Sequence, residues 1–538
     1  MLSTLLLTFA CAAPAQEPAA VVDSLPADTL FVAQMSLEPW DRLRKNTRAH
    51  GVLRGKNMLK SILSEGLETE KEVTEMRTSL GAIRVTMAAT IESLGHGGML
   101  MVIEPVNVGA AAQDWNQLLT DAMGFAPQRM GKSYLSFVGE DYGRDEEALQ
   151  TFLQGVASGA AKSEGTLASN AAWQDLSSAI RSSNDLVRFY VPGGILATTE
   201  AWSAMAALDI PLSDSEITMM VGLSKAMAFD RGMAWTMSID GADVVDRMYF
   251  PRKPEEKTVY ASVGNVKEAI DRIGKVRGEN LLTSVYGLDY EALFALIDQV
   301  ITAVAVMEGE SDPMSDPTVQ GVLTTLRACT QHLGPRLVGV QSIGDLASDS
   351  VIGSFEVQVK DRAKLVEAWG TLPEEIAAFV PFLVMSLGEG NPNPVQLFDD
   401  RLVINGPAAD SEAPMLAQTD DFKMQRPELE AWAEGGPLLF LQVWPRSADQ
   451  DVLSELSTVI EFLGMFSGTP MEAPEFAAGD LSKLRPGWVG AQRTARGIEV
   501  YGRSNFGLLT TFGLLGVLQE ATMMGAEAAY DNFEEEEF

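Results

Sequence analysis

Apolar residues in this chain change period at short intervals, most clearly from Asn280 to Met307, NLLTSVYGLDYEALFALIDQVITAVAVM. Leu281 to Tyr286 is a short apolar run closed by Gly287, and it predicts a strand. Leu293, Leu296, Ile297, Val300, Ile301 and Val304 then recur at i, i+3, i+4, i+7, i+8 and i+11, one helix face, with Asp289 at the N-cap position. Asp28 to Leu43 and Pro437 to Leu463 echo this strand, turn and helix, with apolar runs at Leu30 to Ser36 and Leu438 to Val443. Such a unit has one apolar face and must lay it on a sheet made with its neighbours, so the echoes imply one continuous architecture. Phe31, Val285 and Phe440 are expected in its core.

Between these units the period keeps switching. Val52, Leu59, Ile62, Leu63 and then Leu80, Ile83, Met87 have helical spacing up to Leu94. Met99 to Ile103, Ser133 to Val138 and Leu186 to Val191 predict strands, and Glu146 to Ala160, Ala171 to Ile180 and Ser215 to Met227 helices. Met233 to Phe250 predicts a hairpin turning at Asp240-Gly241. A strand, a Trp-bearing helix and a strand occur in that order twice. The first set has Met99 to Ile103, Trp115 and Ser133 to Val138; the second has Val351 to Val359, Trp369 and a hairpin from Val395 to Ile404. Trp488 to Arg493 and Ile498 to Arg503 predict a strand pair running into Phe506 to Leu518, apolar all round and too short to span a bilayer. The polar stretch PRKPEEK, Pro251 to Lys257, is the best candidate break.

The expected fold is α+β: antiparallel-rich mixed sheets covered by helices, in two related strand-helix-strand halves. The expected division is a signal peptide over 1–20, an N-terminal half over 21–250, a second half over 258–430, a C-terminal strand-helix piece over 431–525 and an acidic tail over 526–538.

Charge narrows the partners. Forty Lys+Arg against 74 Asp+Glu leave a net charge of −34, a surface that repels phosphate backbones, so nucleic acid is not expected as a partner. The start, MLSTLLLTFACAAPAQ, has an apolar run from Leu5 to Ala12 followed by Ala13-Pro14-Ala15, the small-residue pattern of a signal-peptidase site, though no Lys or Arg precedes it. Export to the periplasm or medium is expected, with a mature start near Gln16 and no integral membrane span. Cys11 would be the lipidated residue of a lipoprotein, but Thr8 and Phe9 suit that poorly. Cys329, the other of two cysteines, falls on an apolar face with Val319, Val322, Leu323, Leu326 and Leu333, in a helix begun by Asp316-Pro317, and is expected to be buried and inert.

Several hints of chemistry fail on their context. Gly131-Lys132-Ser133 resembles the end of a phosphate-binding loop, but Ala126 stands where the earlier glycine belongs and a strand follows instead of a helix. Gly95-His96-Gly97-Gly98 suggests oxyanion donors, but no G-x-S-x-G occurs. Three histidines, His50, His96 and His332, make no zinc pattern, and Asp240, Asp243 and Asp246 lack calcium-loop spacing. No catalytic, cofactor-binding or metal-ligating residue is therefore nominated.

Leu25-Pro26-Ala27-Asp28-Thr29-Leu30-Phe31-Val32 resembles the opening of a class of secreted bacterial proteins that carry domain-of-unknown-function labels. The resemblance implies an envelope address and an α+β fold, and no activity. The expected function is an exported, non-catalytic envelope protein with a binding or structural role. A hydrolase with a site of dispersed acidic residues is one alternative. A carrier of an apolar ligand, suggested by 25 methionines, is another.

Overall fold

A computed structural model describes residues 22–36, 83–105, 116–117, 120, 126–139, 146–159, 165–179, 185–192, 198–199, 203, 213–226, 231–253, 256–277, 281–308, 317–342, 354–370, 395–404, 414–449, 482–505 and 507. The expected leader, the segment Val52 to Leu63 and nearly all of Phe506 to Leu518 lie outside them. The chain forms two compact units. The first is Met1–Glu256 with Val306–Gly309 and Ala495–Glu499; the second is Lys257–Ala305, Glu310–Thr494 and Val500–Phe538.

The first unit contains β1 (Thr29–Ser36), β2 (Ile83–Thr90), α1 (Ile91–Gly95), β3 (Gly98–Pro105), β4 (Gln128–Met130) and β5 (Ser133–Gly139). Then come α2 (Glu146–Ser158), α3 (Ala171–Ala179), β6 (Asp185–Val191), α4 (Asp214–Ala226), β7 (Met233–Asp240) and β8 (Asp243–Pro251). Its strands lie in the order β8-β7-β6-β1-β2-β3-β5-β4. Alternation sends Val32, Ala88, Leu100, Val102, Leu135, Phe137, Tyr190, Ala234 and Tyr249 to one sheet face. There they meet Leu149, Phe152, Leu153 and Val156 of α2 and Trp173 and Leu176 of α3, the apolar stripes of those helices.

The second unit contains α5 (Val266–Ile273), β9 (Leu281–Gly287), α6 (Tyr290–Glu308), α7 (Pro317–Gln331), β10 (Leu333–Ser342) and β11 (Ser354–Val359). It continues through α8 (Arg362–Trp369), β12 (Val395–Leu397), β13 (Arg401–Ile404), α9 (Asp420–Ala433), β14 (Leu438–Trp444), β15 (Gly487–Arg493) and β16 (Gly497–Ser504), of which Gly497–Glu499 fall in the first unit. The strand order is β16-β15-β14-β9-β10-β11-β13-β12. Ile270 and Ile273 of α5 and Phe422 and Leu429 of α9 pack on Val285, Val338, Leu441, Val443 and Trp488. Asp289 caps α6 as expected, its Oδ1 accepting the Ala292 N–H at 3.1 Å.

The fold is α+β, and every pairing whose register is described is antiparallel, so the expected mixed character is not seen there. Ile83 to Met87, expected as helix, is strand β2: its β-branched residues pair with β1 on one side and β3 on the other. Leu333 opens β10, because α7 stops at Gln331; it still reaches the small core of Cys329, Val359 and Leu365. Val285 is fully buried, but Phe31 and Phe440 are half-buried. They stack on neighbouring-strand aromatics instead, Phe31 on Phe189 at 6.1 Å and Phe440 on Tyr286 at 4.9 Å.

Candidate functional site

The most unusual chemical environment lies in the second unit. Strand β14 ends at Trp444, and the helical turn that follows Pro445 places Asp449 in the interior with no exposed surface. One carboxylate oxygen accepts from Asn505 Nδ2, while Oδ1 has no hydrogen-bond partner. Asn505, just past β16, also fixes the approach to β15. Its Nδ2 donates to the Arg485 carbonyl at 2.7 Å and its Oδ1 accepts the Arg485 N–H at 3.1 Å. The Arg485 guanidinium reaches Glu428 on α9 at 2.7 Å. Gln425, one turn earlier on α9, donates to the carbonyls of Trp444 at 3.1 Å and Gly487 at 2.6 Å. Gly487 is required here, since a Cβ on it would lie 2.3 Å from the Trp444 indole.

Burial pushes the Asp449 carboxyl up from 3.8 to about 7, against the opposing pull of the Asn505 amide and the Trp444 indole. The largest cause is desolvation, and among the described residues no ion pair to Asp449 offsets it. Such a group can hold or release a proton near neutrality.

A second cluster, in the first unit, is structural in character. The Tyr249 hydroxyl donates to Asp175 Oδ2, with the Arg496 carbonyl also at 3.0 Å. The Arg496 guanidinium meets Asp175 Oδ1 at 2.8 Å. Burial, then the hydrogen bond and charge of Asp175, push Tyr249 up to about 12, away from any nucleophilic role.

The residues singled out in the sequence stay apart. Gly131-Lys132 is the turn between β4 and β5, with Met130 paired to Ser133 and Gly131 at φ 61°, so the backbone closes a hairpin and forms no phosphate cradle. His96 follows α1 and stacks on Phe152 at 5.3 Å. Asp240 and Asp243 face each other across Gly241-Ala242, one residue later than the expected turn, and buried Asp246 accepts the Trp235 indole N–H at 2.9 Å. His332 gives its backbone carbonyl to Lys360 at 2.8 Å; His50 lies outside the described residues. Cys329 is a buried free thiol whose pKa burial raises. Among the described residues no group of three or more His, Cys, Asp or Glu is placed to hold a metal, and no helix is long and apolar enough to cross a membrane.

Sequence reasoning missed Asp449, Asn505, Arg485 and Glu428. Asp449 and Asn505 are 56 positions apart, as Glu428 and Arg485 are 57, and no local spacing links them. No family model matches the chain, and no curated protein or solved structure matches it.

Proposed function

We propose that the chain is an exported, non-catalytic protein of the cell envelope, built from two copies of one α+β plan and acting by binding or as structure. The observation that carries the duplicated plan is the strand order. Adding eight to every label in β8-β7-β6-β1-β2-β3-β5-β4 gives the order of the second unit. Smaller correspondences support it. Leu167 N–H donates to the Leu25 carbonyl at 2.9 Å and Leu416 N–H to the Val276 carbonyl at 2.7 Å, each residue opening a 3₁₀ turn that leads into a helix. The strands of the twice-occurring pattern fall on β3 and β5 and on β11 to β13; Trp369 ends α8, and Trp115 lies outside the described residues.

A non-catalytic role is supported by how the charged groups are used. Asp175–Arg496, Glu428–Arg485, Asp271–Arg426 at 2.6 Å and Glu356–Arg272 at 2.6 Å each tie separate elements together. Export rests on the leader and on the resemblance of Leu25 to Val32 to secreted proteins. The hydrolase reading keeps one specific observation, the buried Asp449 carboxyl joined through Asn505 to Arg485, which pairs with Glu428.

Purified protein assayed on ester, glycoside and phosphoester substrates separates the two, with Asp449→Asn and Glu428→Gln alongside. No turnover distinguishing the three proteins is expected; turnover lost in either variant establishes the enzyme. N-terminal sequencing of the envelope fraction is expected to start near Gln16, and an intact Met1 in the cytoplasmic fraction overturns export.

A further inference from the structure

We infer that Asp449 and Asn505 form a proton-operated latch, closed when the carboxyl is neutral, that joins the turn after β14, the approach to β15 and the end of β16. The inference stands independently of export and of any catalytic role.

Three chain segments meet at one side chain. Asn505 bonds Asp449 and both backbone groups of Arg485, while the neighbouring Ser504 Oγ accepts the Gly507 N–H at 2.8 Å. Asp449, Ser504 and Asn505 have no exposed surface and Arg485 is 6% exposed. Two basic residues on the segments that meet here each pair with α9. From the approach to β15, Arg485 bonds Glu428 of α9; on Asp449's own turn, Arg446 bonds Asp421 of α9, with Nε at 2.7 Å. Among the described residues no ion pair to Asp449 is present, and its Oδ1 makes no hydrogen bond. A neutral carboxyl bonded to the Asn505 amide, with the Trp444 indole also acting on it, fits this site, whereas a carboxylate is left buried without an ion-pair partner among the described residues.

Proton linkage fixes the pH response. The site prefers the protonated form, and a carboxyl released to solvent titrates in its ordinary acidic range. Between those two ranges each rise of one pH unit favours the open latch about tenfold, and above the closed-state range the effect levels off. The closed state is therefore strongest in acid and weakest from neutrality upward.

Hydrogen exchange of the full chain, corrected for intrinsic rates and followed from pH 5 to pH 8, tests this. Protection over 482–485 and at 504, 505 and 507 is expected to fall by up to tenfold per unit toward pH 7 and then level off, while Asp449→Asn gives a flat profile. A flat wild-type profile, or the same slope in the variant, overturns the latch. Should the variant fail to fold, infrared titration of the wild type decides. A protonated, desolvated carboxyl band persisting at pH 6 and lost near pH 7 supports the latch, and its absence overturns it.

Discussion

Leu441 and Val285 sit opposite one another on β14 and β9, 1% and 0% exposed, and carry the burial of the second unit's central strands. Leu441→Ala is expected to cost about 2–5 kcal/mol in a denaturant melt, because the neighbouring strands and α9 hold the cavity open. Glu367→Ala on the outer face of α8 is expected within about 0.5 kcal/mol of wild type. Cys329 is expected to react with thiol reagents only on unfolding, since it is packed with Val359 and Leu365 and its pKa is raised. Asp449 makes a pH-dependent prediction. Its folded pKa, about 7, lies above the ordinary 3.8, so the native state binds the extra proton between those values. The contribution of Asp449 to native stability therefore falls as pH rises from about 4 to about 7, by on the order of 4 kcal/mol, and is flat above. The melting temperature of Asp449→Asn should rise relative to wild type over that window and hold its lead above it.

At the scale of elements, much of the fold was legible because single segments declared their own period. The hairpin of β7 and β8 was visible in alternation plus Asp240-Gly241, and α6 in its spacing plus the Asp289 cap. Strand β2 was not: Leu80, Ile83 and Met87 match a helix face by coincidence, and only pairing with β1 and β3 makes the segment a strand. Strand β10 was hidden by Leu333, which continues the apolar face of α7 although the helix ends before it. The Asp449 cluster was illegible because nothing local marks Asp449 among 74 acidic residues, and its partners come from distant segments. Two element-level outcomes follow. Asn265→Ala removes the side chain that accepts the Glu268 N–H at the start of α5 and is expected to cost about 1 kcal/mol by thermal melt. Gly98→Ala puts a Cβ 2.4 Å from the Val138 carbonyl oxygen of β5, a backbone atom that cannot swing away. It is expected to destabilise by about 1–3 kcal/mol.

At the scale of the whole molecule, the net charge of −34 sets a self-repulsion that no single ion pair cancels. Moderate salt is expected to raise the melting temperature by screening it, as a differential scanning series in sodium chloride can read. The proposed duplication makes the sharper claim, that β1 and β9 hold the same place in the same strand order. Paired-cysteine cross-linking tests it most directly, in the full chain with its native cysteines replaced. The pairs Ala33 with Met87 and Ala33 with Phe189 probe both sides of β1, and Ser284 with Gly339 and Ser284 with Gln442 probe both sides of β9. The account predicts efficient cross-linking by a short reagent in all four double variants. Cross-linking on both sides of β1 but on only one side of β9 would contradict it.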